Sequence, residues 1–157
     1  SAPKHYRRLK IGKAMMWDES DVRLVPLEWL KAHEKIKPRN RDKLLDMTKR
    51  WQGYTKPLIV DQLTGAILDG HHRHAIAEIL ELKRVPVICV DYLGDESITV
   101  DVWPGSERDS LSKQEVLDMS LSDDLFPPKT SRHTIADHLP PIHISLQILK
   151  LEGNAQP

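Results

Sequence analysis

The chain has few of the residues that define several common protein classes. It contains one cysteine, Cys89, and therefore has no internal disulfide. A lone cysteine points to a reducing compartment, so we expect a cytoplasmic protein, although an organelle is also compatible with it. Cys89 lies in the apolar run 85–92, where we expect a small buried side chain in a strand.

The chain also lacks an excess of either charge and a long apolar run. There are 23 Lys and Arg residues against 23 Asp and Glu residues, so nothing draws the whole molecule to nucleic acid or an anionic membrane. No apolar run approaches the length that spans a bilayer, and the basic start has no apolar core typical of a secretory signal. We therefore expect neither nucleic acid nor a membrane as a partner, although a local basic patch is compatible with this balance.

What the sequence does contain is an alternation of short strands and short helices. With 157 residues it is long enough for one core. We expect an α+β fold, in which a short mixed sheet is flanked by helices. The predicted organisation is an N-terminal extension over residues 1–20, a single domain over 21–150 and a disordered tail over 151–157.

The individual elements follow from apolar periodicity and from turn residues. Trp17, Trp29 and Trp51 are expected in the core. Ser112 and Glu115 form a capping box that predicts a helix start. The other predicted elements, in chain order, are a strand before Pro26 with a short helix starting there, a helix over 39–53, a hairpin over 56–70, a helix over 70–83, strands over 84–92 and 97–103, a loop over 122–133 and a strand over 142–149.

The stretch LDGHHRHAIAEIL, residues 68–80, carries the most chemistry. A helix start exposes unpaired N–H groups and a partial positive charge, and Gly70 would let an anion approach the backbone. Arg73 adds a fork of donors suited to phosphoryl oxygens. Asp69 would repel an anion unless it caps the helix or binds Mg²⁺ that bridges it to phosphates. The residues alone leave a phosphate site and a capped helix with exposed His and Arg equally open.

A zinc site at this helix start is disfavoured. His71 and His74 could share a helix face, but His72 points about 100° away. The sequence has neither a C-x-x-C nor an H-E-x-x-H pattern. We expect His74 to be structural or exposed, because it faces away from Arg73.

The segment ILDGHHRHAIAEILELKRVPV, residues 67–87, resembles the signature of the ParB/sulfiredoxin superfamily, and the resemblance extends over residues 22–103. Sulfiredoxins carry a catalytic cysteine after the glycine of this motif, where this chain has His71. Without the thiol, sulfinate repair cannot run. Chromosome-partitioning ParB proteins continue into a helix-turn-helix domain, for which the chain after Trp103 has no room.

Three separated motifs are similar to those of a third branch, the free-serine kinases. They are Leu30-Lys31-Ala32-His33-Glu34, Asp69-Gly70-His71-His72-Arg73 and Pro128-Lys129-Thr130-Ser131-Arg132-His133. Trp103, at the end of a predicted strand, also fits that branch. The connection between Trp103 and Phe126 is much shorter than in that family.

The resemblance implies a kinase that phosphorylates free L-serine with ATP or ADP and Mg²⁺. It implies Glu34 as the catalytic base and Asp69 as the residue that orients Mg²⁺ or the attacking hydroxyl. It assigns the donor phosphates to Gly70, His71, His72 and Arg73, and the substrate to Trp103, Lys129, Thr130, Ser131 and His133. The alternative is a ParB-like nucleotide- or DNA-binding module, or a nuclease, without kinase activity. A haem-binding pseudo-enzyme fits less well, because this helix start is polar.

Overall fold

The computed structural model describes residues 8–11, 14–135 and 138–153, with side chains from Trp17 onward. Residues 1–7 of the expected extension and 154–157 of the expected tail lie outside the described residues. The strands are β1 Arg8–Ile11, β2 Ala14–Trp17, β3 Arg23–Pro26, β4 Gly53–Tyr54, β5 Leu58–Asp61, β6 Ile67–Asp69, β7 Arg84–Val90, β8 Ile98–Val102, β9 Ser131–Ile135 and β10 Ile144–Ser145. The α-helices are α1 Pro38–Trp51, α2 His71–Ile79, α3 Lys113–Ser120 and α4 Leu146–Leu149.

A mixed four-stranded sheet lies at the centre, in the order β3-β7-β5-β6. β7 is antiparallel to β3 and parallel to β5, whereas β5 and β6 form the predicted antiparallel hairpin. Parallel neighbours need a crossover, and β6 with α2 provides the one between β5 and β7. The predicted α+β class, with a short mixed sheet and flanking helices, is therefore confirmed.

Both faces of this sheet are covered, and alternate residues along each strand face opposite sides. Val85 and Val87 pack with α1, α2 and α4, and Ile88 and Val90 pack with α3, β8 and Phe126. Cys89 lies in β7 against the first of these two clusters, as expected, but it is only partly buried. No helix in the described part of the chain is long and apolar enough to cross a bilayer.

The hydrogen bonds that stabilise the helix ends mostly join residues that are close together in the sequence. Ser112 Oγ accepts from the N–H of Glu115, whose carboxylate accepts from the N–H of Ser112, so the predicted capping box is confirmed. α2 starts where predicted but ends at Ile79 rather than at Lys83. It ends early because Glu81 adopts a positive φ of 56° and the N–H of Leu82 returns to the carbonyl of Ala77, as in a Schellman motif.

Two predicted segments were wrong. The predicted loop over 122–133 ends in β9, because Ser131 and the residues after it pair with β8. The predicted strand over 142–149 is two residues of β10 followed by α4. Ser145 Oγ accepts from the N–H of Ile148 and caps that helix, and Leu146 and Leu149 point into the core at helical spacing.

The three tryptophans predicted in the core differ in burial. Trp17 is 1% exposed and confirmed as a core residue, and Trp29 is partly buried against one core cluster. Trp51 is 44% exposed, so its placement in the core was wrong. It is the last residue of α1, just before Gln52 turns into the left-handed region with φ 56°, and the chain turns away there before the indole can be covered.

Candidate active site

Gly70 joins β6 to α2 and sets the direction of the helix. Its φ is +113°, and a Cβ built there would lie 2.6 Å from Cγ of Leu58. Only glycine combines that backbone angle with so close an approach to β5. The result is that the first N–H groups of α2, which have no partners within the helix, open onto a cleft beside the sheet.

That cleft has a volume of about 440 Å³ and brings together nearly all the residues predicted from the sequence. Its lining comes from the loop before α1, the start of α2, the end of β8 and the segment 128–133. The predicted residues that line it are Glu34, Asp69, Gly70, His71, His72, Arg73, Trp103, Lys129, Ser131 and His133.

Thr130 is the one predicted residue that does not line this cleft. It is buried, and its hydroxyl donates to the carbonyl oxygen of Pro127 at 2.7 Å. Its side chain therefore supports the turn at 127–130, and its neighbours Lys129 and Ser131 face the cleft instead.

The carboxylate of Glu34 ties the 128–131 segment to the loop before α1. Its Oε1 accepts from the N–H of Ser131 at 2.8 Å and from Ser131 Oγ at 2.8 Å. Its Oε2 accepts from the N–H of Lys129 at 3.2 Å. A backbone bridge between Glu34 and Phe126 runs beside these bonds, so the two segments are joined by main chain and side chain together.

The imidazoles of His71 and His72 join the start of α2 to the same loop. His71 Nε2 accepts from the N–H of His33 at 3.2 Å, and His72 Nε2 accepts from the N–H of Lys37 at 3.1 Å. Burial lowers the pKa of both rings, and for His72 the nearby charges of Lys129, Arg73 and Lys37 add to that effect. Both rings are therefore neutral, and only Nδ1 can donate to a ligand.

A group of neutral imidazoles lies under the cleft. The ring of His33 is fully buried, with its centroid 4.5 Å from that of His71 and 6.1 Å from that of His133. Burial lowers the pKa of His33 to about 4 and that of His133 to about 3. The hydroxyl of Tyr92, which the sequence did not single out, lies 2.8 Å from His133 Nε2 and fixes that ring.

Arg73 and Asp69 interact with each other at the mouth of the cleft. Arg73 Nη2 donates to Asp69 Oδ2 at 3.2 Å and to the carbonyl of Pro57 at 3.3 Å. The guanidinium is largely buried, with 19% of its side chain exposed, whereas 53% of the Asp69 side chain is exposed. Asp69 therefore has room for a further ligand, and the guanidinium offsets its charge beside the helix start.

Trp103, at the other end of the cleft, is in contact with two cations. Lys129 Nζ is 4.9 Å from its ring centroid and Arg132 Cζ is 5.1 Å away. The indole N–H donates to the carbonyl of Ser131 at 2.9 Å, which fixes the plane of the ring. Cation–π contacts at these distances hold the positive side chains at the rim.

Sequence reasoning missed three cations that line the cleft: Lys35, Lys37 and Arg132. Together with Arg73 and Lys129 they face only two carboxylates, those of Glu34 and Asp69, although the whole chain is neutral. The alternating lysines of HEKIKP were the available signal for Lys35 and Lys37, whereas no local pattern indicated Arg132. The cleft is thus a local basic patch that suits an anionic ligand.

No group of His, Cys, Asp or Glu in the described residues could hold a metal ion by itself. Asp69 fits Mg²⁺ only in the usual arrangement in which substrate phosphates supply further ligands. His74 does not line the cleft and lies near Glu78, with Nδ1 3.8 Å from Oε1, in agreement with the structural role expected for it.

No family model matches the chain. A protein from Staphylothermus marinus named ATP-dependent L-serine kinase is 31% identical over 94 residues, which are 57% of this chain and 37% of that protein. A protein from Sulfolobus acidocaldarius named ParB-like protein is 32% identical over 83 residues, which are 49% of this chain and 40% of that protein.

The chain thus spans well under half the length of these curated relatives. Among solved structures, a glutamate-to-glutamine variant of a free serine kinase in complex with AMP superposes with a TM-score of 0.73 at 16% identity. The superposition covers 82% of this chain and 94% of that one. The resemblance seen in the sequence is therefore confirmed: the chain has the small mixed α/β fold of a free serine kinase, and its relatives include proteins named L-serine kinase and ParB-like protein.

Proposed function

We propose that this chain is a kinase that transfers a phosphoryl group from ATP or ADP to the hydroxyl of free L-serine. One observation carries the proposal: a glutamate and a glycine-started helix N-terminus line one cleft whose cations outnumber its carboxylates. The names of the relatives and the fold support the same reaction. We also propose that residues 21–150 act as one catalytic domain, in the cytoplasm or another reducing compartment.

The donor phosphates bind at the start of α2. The free N–H groups of His71, His72 and Arg73 and the helix dipole stabilise negative charge there. Nδ1 of each imidazole adds a neutral donor, and Lys37 adds a positive charge. Phosphoryl transfer needs this kind of positioning and charge neutralisation more than it needs covalent chemistry.

Mg²⁺ would be held mainly by the phosphates, with one carboxylate oxygen of Asp69. When bound, the ion neutralises charge on the transferred group. The pairing of Asp69 with Arg73 keeps its carboxylate at the mouth of the cleft, so it can accept a cation without moving the helix start.

The acceptor binds beside Glu34. Its carboxylate takes the proton of the serine hydroxyl as the new oxygen–phosphorus bond forms. Lys129 and Arg132, held against Trp103, bind the carboxylate of the amino acid, and Ser131 and His133 line the remaining wall. The three hydrogen bonds that Glu34 already accepts hold its carboxylate in place before substrate arrives.

The test is formation of O-phosphoserine from L-serine with ATP, ADP or CTP as donor. Glu34→Gln should lower the rate by at least about 10²-fold, the lower end of general-base contributions. Glu96→Gln is the matched control, because Glu96 is exposed and does not line the cleft, and it should leave the rate unchanged. Equal rates in wild type and Glu34→Gln would refute the assigned base.

The ParB-like relative supports a second candidate function, that of a nucleotide- or DNA-binding module without kinase activity. That function needs neither Glu34 nor the segment 128–133. Binding or cleavage of duplex DNA, equal in wild type and Glu34→Gln and without phosphoserine, would favour it over the kinase.

A further inference from the structure

The hydroxyl of Ser131 makes the contact that a substrate alcohol would make. Its Oγ donates to Glu34 Oε1 at 2.8 Å, and the N–H of the same residue donates to the same oxygen at 2.8 Å. Ser131 and free L-serine carry the same primary alcohol. In this arrangement the chain's own alcohol is hydrogen-bonded to the carboxylate that the proposed reaction uses as its base.

This hydroxyl also shares the cleft with the proposed phosphate site. Ser131 is half-buried and lines the cleft together with Gly70 and His72. Lys129, two residues before it, lies close enough to His72 to lower the pKa of that ring. Glu34 follows His33, whose N–H donates to His71 Nε2 at the start of α2. Base, alcohol and helix start are therefore neighbours.

The adjacent alcohol does not compete for the same position. Thr130 is buried and donates to the carbonyl of Pro127 at 2.7 Å, away from the cleft. Only one hydroxyl of the 128–133 segment is thus hydrogen-bonded to Glu34 and part of the cleft lining, that of Ser131.

We propose that the chain phosphorylates itself on Ser131 when a nucleotide is bound and L-serine is absent. The inference rests on the proposed kinase function. Glu34 takes the proton from Oγ, a bond forms between Oγ and the terminal phosphorus, and the bond from that phosphorus to its bridging oxygen breaks. ATP leaves as ADP, or ADP leaves as AMP, and the proton on Glu34 passes to solvent. No atom changes its oxidation state.

The product limits further reaction. A phosphoserine adds about −1.5 to −2 charges at neutral pH and loses the hydroxyl donor. Beside the carboxylate of Glu34 this charge is repulsive, whereas Lys129 and Arg132 attract it. The modified side chain therefore fills the acceptor end of the cleft, and bound L-serine should protect Ser131 by occupying that position first.

The experiment incubates the full chain with ATP or ADP, with and without L-serine. Peptide mass spectrometry locates covalent phosphate, and free O-phosphoserine is measured in the same samples. We expect phosphate on residue 131, with a rate per chain independent of protein concentration and reduced by L-serine. Ser131→Thr should give phosphothreonine at that position, Ser131→Ala should give no phosphate there, and Glu34→Gln should slow the labelling at least about 10²-fold.

The outcomes separate this inference from the proposed function. Free phosphoserine without phosphate on residue 131 overturns the inference and leaves the kinase function intact. Phosphate on residue 131 without free phosphoserine supports the inference and overturns L-serine as acceptor. If neither free phosphoserine nor phosphate on residue 131 forms, both the inference and the proposed function are overturned. Equal labelling of wild type and Glu34→Gln points to a co-purifying kinase and overturns the inference.

Discussion

Replacement of Gly70 by alanine tests how much of the site depends on one backbone position. A Cβ there would lie 2.6 Å from Leu58 Cγ and 3.2 Å from Leu58 Cβ, while the backbone keeps a φ of +113°. The unusual φ costs about 1–3 kcal/mol for a residue with a side chain. Overlap with the buried Leu58 adds about 1–3 kcal/mol, as overpacking does elsewhere.

Gly105 provides the matched control, because it also has a positive φ, +88°, but nothing lies within 4 Å of its Cβ position. Gly105→Ala should therefore cost only the backbone part. The difference in unfolding free energy between the two variants, measured by urea titration, should be about 1–3 kcal/mol.

Gly70→Ala should also weaken nucleotide binding, because relief of the overlap moves the N–H groups that face the phosphates. Loss of one charge-assisted hydrogen bond corresponds to about 1.5–3 kcal/mol, or at least about tenfold in Kd by calorimetry. Gly105→Ala should leave Kd unchanged. Equal destabilisation by the two variants, or an unchanged Kd in Gly70→Ala, would refute the reasoning.

Three further predictions concern the described residues. The buried neutral ring of His33 has a folded-state pKa near 4, below its unfolded value, so its stabilising effect is present above about pH 6.5 and is lost as pH falls towards 4. His33→Leu should therefore flatten the slope of unfolding free energy against pH in that window by up to about 1.4 kcal/mol per pH unit, and an unchanged slope would contradict the burial of a neutral ring. Trp17→Ala should cost about 3–5 kcal/mol in urea titrations, and Trp51→Ala, at a side chain 44% exposed, should cost clearly less; equal losses would contradict the burial described. Arg73→Lys should weaken ATP binding measured by calorimetry, because a lysine cannot bridge Asp69, Pro57 and a phosphate with one planar fork; unchanged affinity would remove Arg73 from the phosphate site.

Elements with a complete local signal could be predicted from the sequence. The α2 start after Gly70, the β5–β6 hairpin and the Ser112 capping box each depend on residues within a few positions of one another. Local hydrogen bonds and turn residues decide such structures, and the sequence displays them directly.

The wrong segments depend on long-range partners or on a competing local signal. β9 exists because Ser131–Ile135 finds β8 as an antiparallel neighbour, and nothing in PKTSRH marks that pairing. At 142–149 the alternation of apolar residues favoured a strand, but Ser145 caps a helix that buries Leu146 and Leu149. Tertiary packing overrode periodicity there.

The candidate site also combines features that have a local sequence signal with features that depend on long-range contacts. The family motifs indicated which residues gather at the cleft, but not what each side chain contacts. The hydrogen bonds from Ser131 and Lys129 to Glu34 cross 95 or more positions, and the Nε2 atoms of His71 and His72 accept from a loop that no local pattern connects to them. Lys35, Lys37 and Arg132 line the same cleft because the fold brings the loop before α1 next to β9.

The uncharged imidazoles beneath the cleft affect how anion binding should depend on pH and ionic strength. Since His33 and His133 take up protons only near pH 4 and pH 3, these two rings add no positive charge to the cleft between pH 6 and 8, where its lysine and arginine side chains and the N–H groups of α2 attract an anion. Affinity for a nucleotide should then respond to ionic strength but not to the titration of His33 or His133 in that range. A bell-shaped rate profile near neutrality would accordingly report on the nucleotide or the acceptor rather than on these rings.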